Sequence, residues 1–171
     1  MSKLFKDRTT LGVIISRMQV PYLTDSHINM IETVKGRHDR VLILLGVKDK
    51  IDLKNPLDFN LRRQMIMPLM RVNDIIVPLK DIPDDNPAWA KSVDNLVSAV
   101  NGPKESAILY GGRDSFIPYY KEANGQYECV ELLPEDNDSG TELRNIAATT
   151  IPKYSKKVAS AIIYTTNKLL N

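Results

Sequence analysis

Apolar residues along this chain gather in short unbroken runs and seldom alternate with polar ones. TLGVIIS, RVLILLGV, DIIVPL, SAILYGG and QYECVEL are each rich in β-branched or aromatic side chains. A run of that kind reads as a strand covered on both faces. Between the runs the apolar positions recur at helical spacing. HINMIETVKGR places Ile28, Ile31 and Val34 on one face, with Gly36 as its stop, and LDFNLRRQMIMPLM does the same with Leu57, Leu61, Met65 and Leu69. NPAWAKSVDNLVSAV reads as a helix capped by Asn86 with Pro87 at its first position. DSFIPYYKEA reads as a short helix broken or bent at Pro118, and SGTELRNIAATT as another short one. KYSKKVASAIIYTTNKLL carries a stripe from Tyr154 to Leu169 and reads as a final amphipathic helix.

Strand and helix alternate throughout, which predicts an α/β fold: a Rossmann-like, doubly wound, mostly parallel five-stranded sheet with helices on both faces and a C-terminal helical extension. The expected organisation is one domain over 1–171, with the α/β core in 1–150 and the extension in 151–171. Ligands of such sheets bind outside the carboxyl ends of the strands. Attention therefore falls on the loops after Ile15, Val47, Pro78 and Tyr110, and on the turn before Gly140.

Composition narrows the partners. The 171 residues include 23 basic and 21 acidic ones, a net charge of +2, which gives no electrostatic case for nucleic acid or an anionic membrane. The single cysteine, Cys129, excludes an intrachain disulfide and a cysteine-ligated metal cluster, and its apolar neighbours read as a buried, inert thiol. Charges at Lys3, Lys6, Asp7 and Arg8 stand where a signal peptide needs an apolar core, and no apolar stretch approaches the ~18 residues of a membrane span. A cytoplasmic protein without membrane or nucleic-acid partners is expected.

Two polar stretches interrupt this pattern. SRMQVPYLTDSHINM brings Arg17, Gln19, Thr24 and His27 to the end of the first strand and the start of the first helix. Backbone N–H groups and the helix dipole favour an anion there, and an imidazole can donate beside them. The plainer reading is a capping threonine with a surface histidine. In SGTELR, Ser139 and Thr141 are cap-type residues, Gly140 allows close backbone approach, and Arg144 returns to the face of Thr141. Amides, hydroxyls and a guanidinium converging on one point suit a polyphosphate. An ordinary capped helix is the alternative. His38 in GRHDR reads as a surface histidine, and Lys48, Lys54 and Asp84 as solvated loop charges.

Together these stretches resemble the nucleotidyltransferases of the (H/T)xGH superfamily. GVIISRMQVPYLTDSH is similar to their opening Gly-Arg-Phe-Gln followed by His-x-Gly-His, and SGTELRN to their Ile-Ser-x-Thr-x-x-Arg signature. KNPLDFNLRRQMI, IPDDNPAWAKSV and AILYGGRDSFIPYY resemble segments of the nicotinamide mononucleotide (NMN) adenylyltransferases, especially those fused to a Nudix domain, and the order agrees from about Gly12 to Arg144. The Nudix half is not expected in this chain. Departures are Ser16, Met18, Thr24 and Ser26, where the family usually has Gly, Phe, His and Gly.

The resemblance implies transfer of an adenylyl group from ATP to NMN, giving NAD and pyrophosphate. It assigns His27 and Thr24 to the ATP phosphates, with Arg17 and Gln19 beside them and Ser16 and Met18 lining the same loop. Arg144, with Ser139, Gly140 and Thr141, would hold the β/γ side, and Gly111 and Arg113 the adenosine end. Trp89 would stack on the nicotinamide, with Asp85 or Asn86 on its carboxamide or ribose and Val47 bordering the NMN. The plainer reading of Trp89 is a core anchor packed with Val93. Mg²⁺ is implied on the ATP phosphates, with no protein metal ligand named. Rival readings are a nucleotidyltransferase with another acceptor, of cytidylyltransferase or phosphopantetheine adenylyltransferase type, a degenerate nucleotide-binding protein without catalysis, and a flavodoxin-like domain. Homo-oligomerisation is left open.

Overall fold

The computed structural model describes residues 11–113 and 115–133. Five strands, β1 (Leu11–Ser16), β2 (Arg40–Val47), β3 (Ile75–Lys80), β4 (Ala107–Gly111) and β5 (Glu128–Glu131), form one sheet in the order β3-β2-β1-β4-β5. Every pairing in it is parallel. The connections carry α1 (Asp25–Arg37), α2 (Phe59–Ile66), α3 (Asn86–Asn101) and α4 (Ile117–Glu122), with a 3₁₀ turn at Met67–Leu69.

Why the strand runs are unbroken is now visible. Leu42, Ile43, Leu44 and Leu45 are all fully buried, and they divide alternately between two clusters on opposite faces of the sheet. Ile31 and Val34 of α1 and Leu61, Met65 and Ile66 of α2 cover one face, while Ala90, Val93 and Val97 of α3 and Tyr120 of α4 cover the other. Each such large side chain contributes ~1.5–3 kcal/mol on burial. Pro78 lies in β3, at the sheet edge, where its missing N–H breaks no ladder.

Three local expectations are corrected. The cap of α3 is Asp85, whose side chain accepts from Ala88 N at 2.9 Å, so the helix begins one residue earlier than a cap at Asn86 implies. Pro118 opens α4 in its first turn, where its lack of an N–H is harmless, and so does not break it. His38 is buried, at 3% exposure, because Gly12 lacks a side chain: a Cβ there would stand 2.5 Å from His38 Cδ2. Its Nε2 pairs with the hydroxyl of buried Tyr110 at 2.7 Å. Cys129 is half-buried, and burial pushes its thiol up, away from the reactive thiolate. The expected helices of SGTELRNIAATT and 151–171 lie outside the described residues, as do Ser139, Gly140, Thr141 and Arg144.

Candidate functional site

Strand order reverses between β1 and β4, and there the two connecting loops diverge to opposite faces. A cavity of about 840 Å³ opens at that point. It unites Ser16, Arg17, Met18 and Gln19 after β1 with Ser26 and His27 in the first turn of α1. Asn86 and Trp89 at the start of α3, and Gly112 and Arg113 after β4, also line it.

The loop after β1 is held from beneath. Met18 has a φ of +45°, a left-handed backbone that side chains seldom adopt, and its own side chain is buried at 3% exposure. Gln19 is buried too, and both halves of its amide are engaged by one residue: Nε2 donates to Leu57 O at 3.0 Å and Oε1 accepts from Leu57 N at 2.9 Å. Gln19 therefore anchors the loop to Leu57 as well as lining the cavity. Arg17 projects outward, its stem lying over Gly46, where an added Cβ would be 3.1 Å from Arg17 Cγ. Nη1 donates to Asn55 Oδ1 at 2.8 Å and Nη2 to Asp81 Oδ2 at 3.2 Å. Asn55 is fixed in turn by Asp52, whose carboxyl is pushed down to about 2, chiefly by the Asn55 side-chain hydrogen bond. With its side chain 46% exposed, Arg17 makes a weak ion pair with Asp81, of the ~0–1 kcal/mol class that an incoming anion readily displaces.

At the head of α1, Thr24 is the cap and His27 its third residue. Thr24 Oγ1 lies 2.7 Å from His27 Nδ1, and Thr24 N donates to the same nitrogen at 3.4 Å. With Nδ1 as acceptor, the ring proton of neutral His27 resides on Nε2. Thr24 is buried and does not line the cavity, so it orients His27 and is not itself placed to touch a ligand. Ser26 has a buried hydroxyl without a hydrogen-bond partner among the described residues.

Three other expected residues do not line the cavity. Gly111 does not line the cavity. A Cβ there would fall 2.6 Å from Ser115 Oγ, so its smallness serves the turn into α4, and Gly112 takes the lining place. Val47 is likewise absent from the lining. Its carbonyl accepts from Asp81 N at 2.8 Å, and Gly46 faces the space instead. Asp85 caps α3 and leaves Asn86 at the cavity. Trp89 is half-buried, packed on the core and tilted at 50° against Phe116 with ring centroids 5.9 Å apart, and it is also exposed to the cavity. Sequence reasoning missed Asp81, Asn55 and Phe116. Asn55, within KNPLDF, and Phe116, within DSFIPYY, stood in segments already singled out, whereas Asp81 did not.

Among the described residues no group of three or more His, Cys, Asp or Glu could hold a metal ion, and no helix is long and apolar enough to cross a membrane. No family model matches the chain, and no curated protein matches it significantly. Solved structures share its fold. A bifunctional NMN adenylyltransferase/ADP ribose pyrophosphatase from Francisella tularensis superposes with a TM-score of 0.70 at 21% identity, over 81% of this chain and 42% of that one. The same kind of enzyme from that organism, complexed with AMP and a Mn ion, gives 0.68 at 19% identity, over 95% of this chain and 54% of that one. NadR protein in complex with NR gives 0.55 at 16% identity, over 85% and 41%. This chain thus spans about half or less of the length of each. At these identities the likeness is one of architecture: the chain has the Rossmann-like α/β fold that the Francisella enzyme and NadR protein also carry.

Proposed function

We propose that this protein is an adenylyltransferase that joins ATP and NMN into NAD and pyrophosphate by direct in-line transfer. One observation carries the reading: a single cavity at the topological switch point is bordered by His27 at the head of α1, by the exposed guanidinium of Arg17, and by the Trp89–Phe116 pair. A phosphate-binding end and an aromatic end on one space suit two nucleotides meeting phosphate to phosphate. The shared fold with the Francisella enzyme supports it.

In this reaction a phosphate oxygen of NMN attacks the α-phosphorus of ATP. The new P–O bond forms as the bond to the β-phosphate breaks, and the electron pair leaves with pyrophosphate. The nucleophile is already an anion, so no general base is required. Catalysis rests on positioning and on stabilising the charge that develops on phosphoryl oxygens. His27, held at Nδ1 by Thr24 and bordering the cavity, is the imidazole assigned to that charge. Arg17 exchanges Asp81 for a phosphate, and Arg113 meets the adenosine end. Arg144, with Ser139, Gly140 and Thr141, receives the β/γ side by the resemblance. Trp89 offers its indole face to the cationic nicotinamide, a contact worth ~0.5–2 kcal/mol. Among the described residues guanidinium and imidazole donors border the cavity and no group of three or more carboxylates stands ready for a metal, which fits Mg²⁺ carried on the triphosphate; when bound it would help to neutralise the leaving group.

The test is incubation of the purified chain with Mg-ATP and NMN, with chromatography for NAD and a parallel assay of pyrophosphate. Formation of both is expected. Pyrophosphate release only with phosphopantetheine, or only from CTP with a polyol phosphate, would reassign the acceptor. ATP binding by calorimetry without turnover would make this a nucleotide-binding protein.

A further inference from the structure

Arg62 and Arg63 are neighbours on α2, yet Arg63 is exposed and Arg62 is 2% exposed, among the most buried large side chains. It does not line the cavity. Its Nη1 donates to Arg17 O at 2.6 Å and to Gly46 O at 2.8 Å, and its Nε donates to Asp58 O at 3.2 Å. The first two carbonyls belong to the loop leaving β1 and to the carboxyl end of β2, side by side under the anion end of the cavity. Burial chiefly, opposed by the Asp58 charge and aided by that of Arg17, brings the guanidinium down to about 10, so at neutral pH it stays a cation.

Carbonyl oxygens turned toward a phosphate site repel its occupant. Burying a cation beneath them is costly before compensation, and an apolar side chain of like length would fill the same volume without that penalty. Packing therefore does not explain the guanidinium. We infer that Arg62 is a positioning residue for phosphate chemistry: it ties Arg17 O and Gly46 O together, turns their dipoles away from the cavity, and sets the point from which the Arg17 side chain reaches a phosphate. The inference rests on the adenylyltransferase reading for its substrate and on the hydrogen bonds above for its geometry. It requires that Arg62 act through Arg17.

A double-mutant cycle tests that requirement. Arg62→Lys keeps the charge but cannot bridge two carbonyls from one rigid fork. In the full chain it should lower kcat for NAD formation by ~10–10², with KM for Mg-ATP changed less than ~3-fold, because a misplaced donor is felt most in the transition state. In an Arg17→Ala background the same change should cost less than ~3-fold. Equal losses in both backgrounds would overturn the inference, as would a lowered melting temperature with unchanged kcat. Should Arg62→Lys not fold, Arg62→Gln, which keeps a donor without charge, carries the same cycle. If the wild type forms no NAD, the functional reading fails separately, and the cycle is read from calorimetric Kd for Mg-ATP: coupling of Arg62 to Arg17 sustains the positioning role, and additivity or absence of binding ends it.

Discussion

At the anion end of the cavity, charged and polar groups are held by directed hydrogen bonds: Gln19 to both backbone polar atoms of Leu57, Arg62 to the carbonyls of Arg17 and Gly46, and the Thr24 hydroxyl to the His27 ring. At the aromatic end, Trp89 and Phe116 are partly exposed and related by ring packing, and Tyr119 beside them is exposed. Asp85, the one carboxylate expected to read the substrate there, is occupied in capping α3. The first end is rigid because a buried unsatisfied group costs ~1–3 kcal/mol, so displacing any member is penalised. The second can adjust, since ring contacts tolerate small shifts. Charge stabilisation that must be accurate before the substrate arrives belongs to the first kind of construction, and recognition of one base among several suits the second.

The contrast breaks most sharply at His27. His27→Ala removes the donor while leaving Thr24 able to cap α1, so kcat should fall by ~10²–10³ with the melting temperature nearly unchanged. NAD formation followed by chromatography measures it, and a loss below 3-fold would remove the reacting phosphate from this end.

Gln19→Leu comes next and separates structure from chemistry. The leucine is close in size, but Leu57 N and O lose their partners inside the protein. Two orphaned backbone groups predict a destabilisation of ~2–4 kcal/mol in urea unfolding, with activity and stability falling together. Loss of activity at unchanged stability would instead return Gln19 to the ligand.

How far the sequence speaks follows from the same contrast. Strands buried on both faces must be continuously apolar, so β1, β2 and β4 could be read directly, and with them the location of the strand-end loops. Thr24 and His27 were recognisable because a helix cap has a local signature. The buried framework was not. Nothing local separates Arg62 from Arg63, and the burial of His38 depends on the missing Cβ of Gly12, a residue on another element. A side chain hydrogen-bonded to a distant backbone leaves no periodicity behind, which is why the pairing of Gln19 with Leu57 could not be read. The Ser139–Arg144 half of the site lies outside the described residues and stands on sequence alone.

Trp89→Ala addresses the adjustable end. Losing the indole face should raise KM for NMN by ~10-fold, equivalent to ~1.4 kcal/mol, while KM for Mg-ATP stays within a factor of ~2. Trp89→Phe should retain most of the affinity. Equal changes in both KM values would mean that Trp89 holds the fold and that the aromatic end does not discriminate between the two nucleotides.

The smallest effect lies at the outer edge of the anion end, where Asp52 holds Asn55 and Asn55 holds Arg17. Asp52 accepts from Lys54 N at 2.9 Å, from Asn55 N at 2.7 Å and from Asn55 Nδ2 at 2.9 Å, all through Oδ1. The side-chain bond from Asn55 is the main reason its carboxyl falls from 3.8 to about 2. On acidification the unfolded chain protonates first, so this contribution is complete above about pH 4 and is lost as pH falls toward 2. Asp52→Asn keeps an oxygen for the three donors and removes only the charge. Its urea midpoint should lie slightly below wild type at pH 7, and the two should converge near pH 2. A gap that persists undiminished to pH 2 would show that the turn is held by the shape of the side chain, and that the charge beneath Asn55 contributes nothing to fixing Arg17.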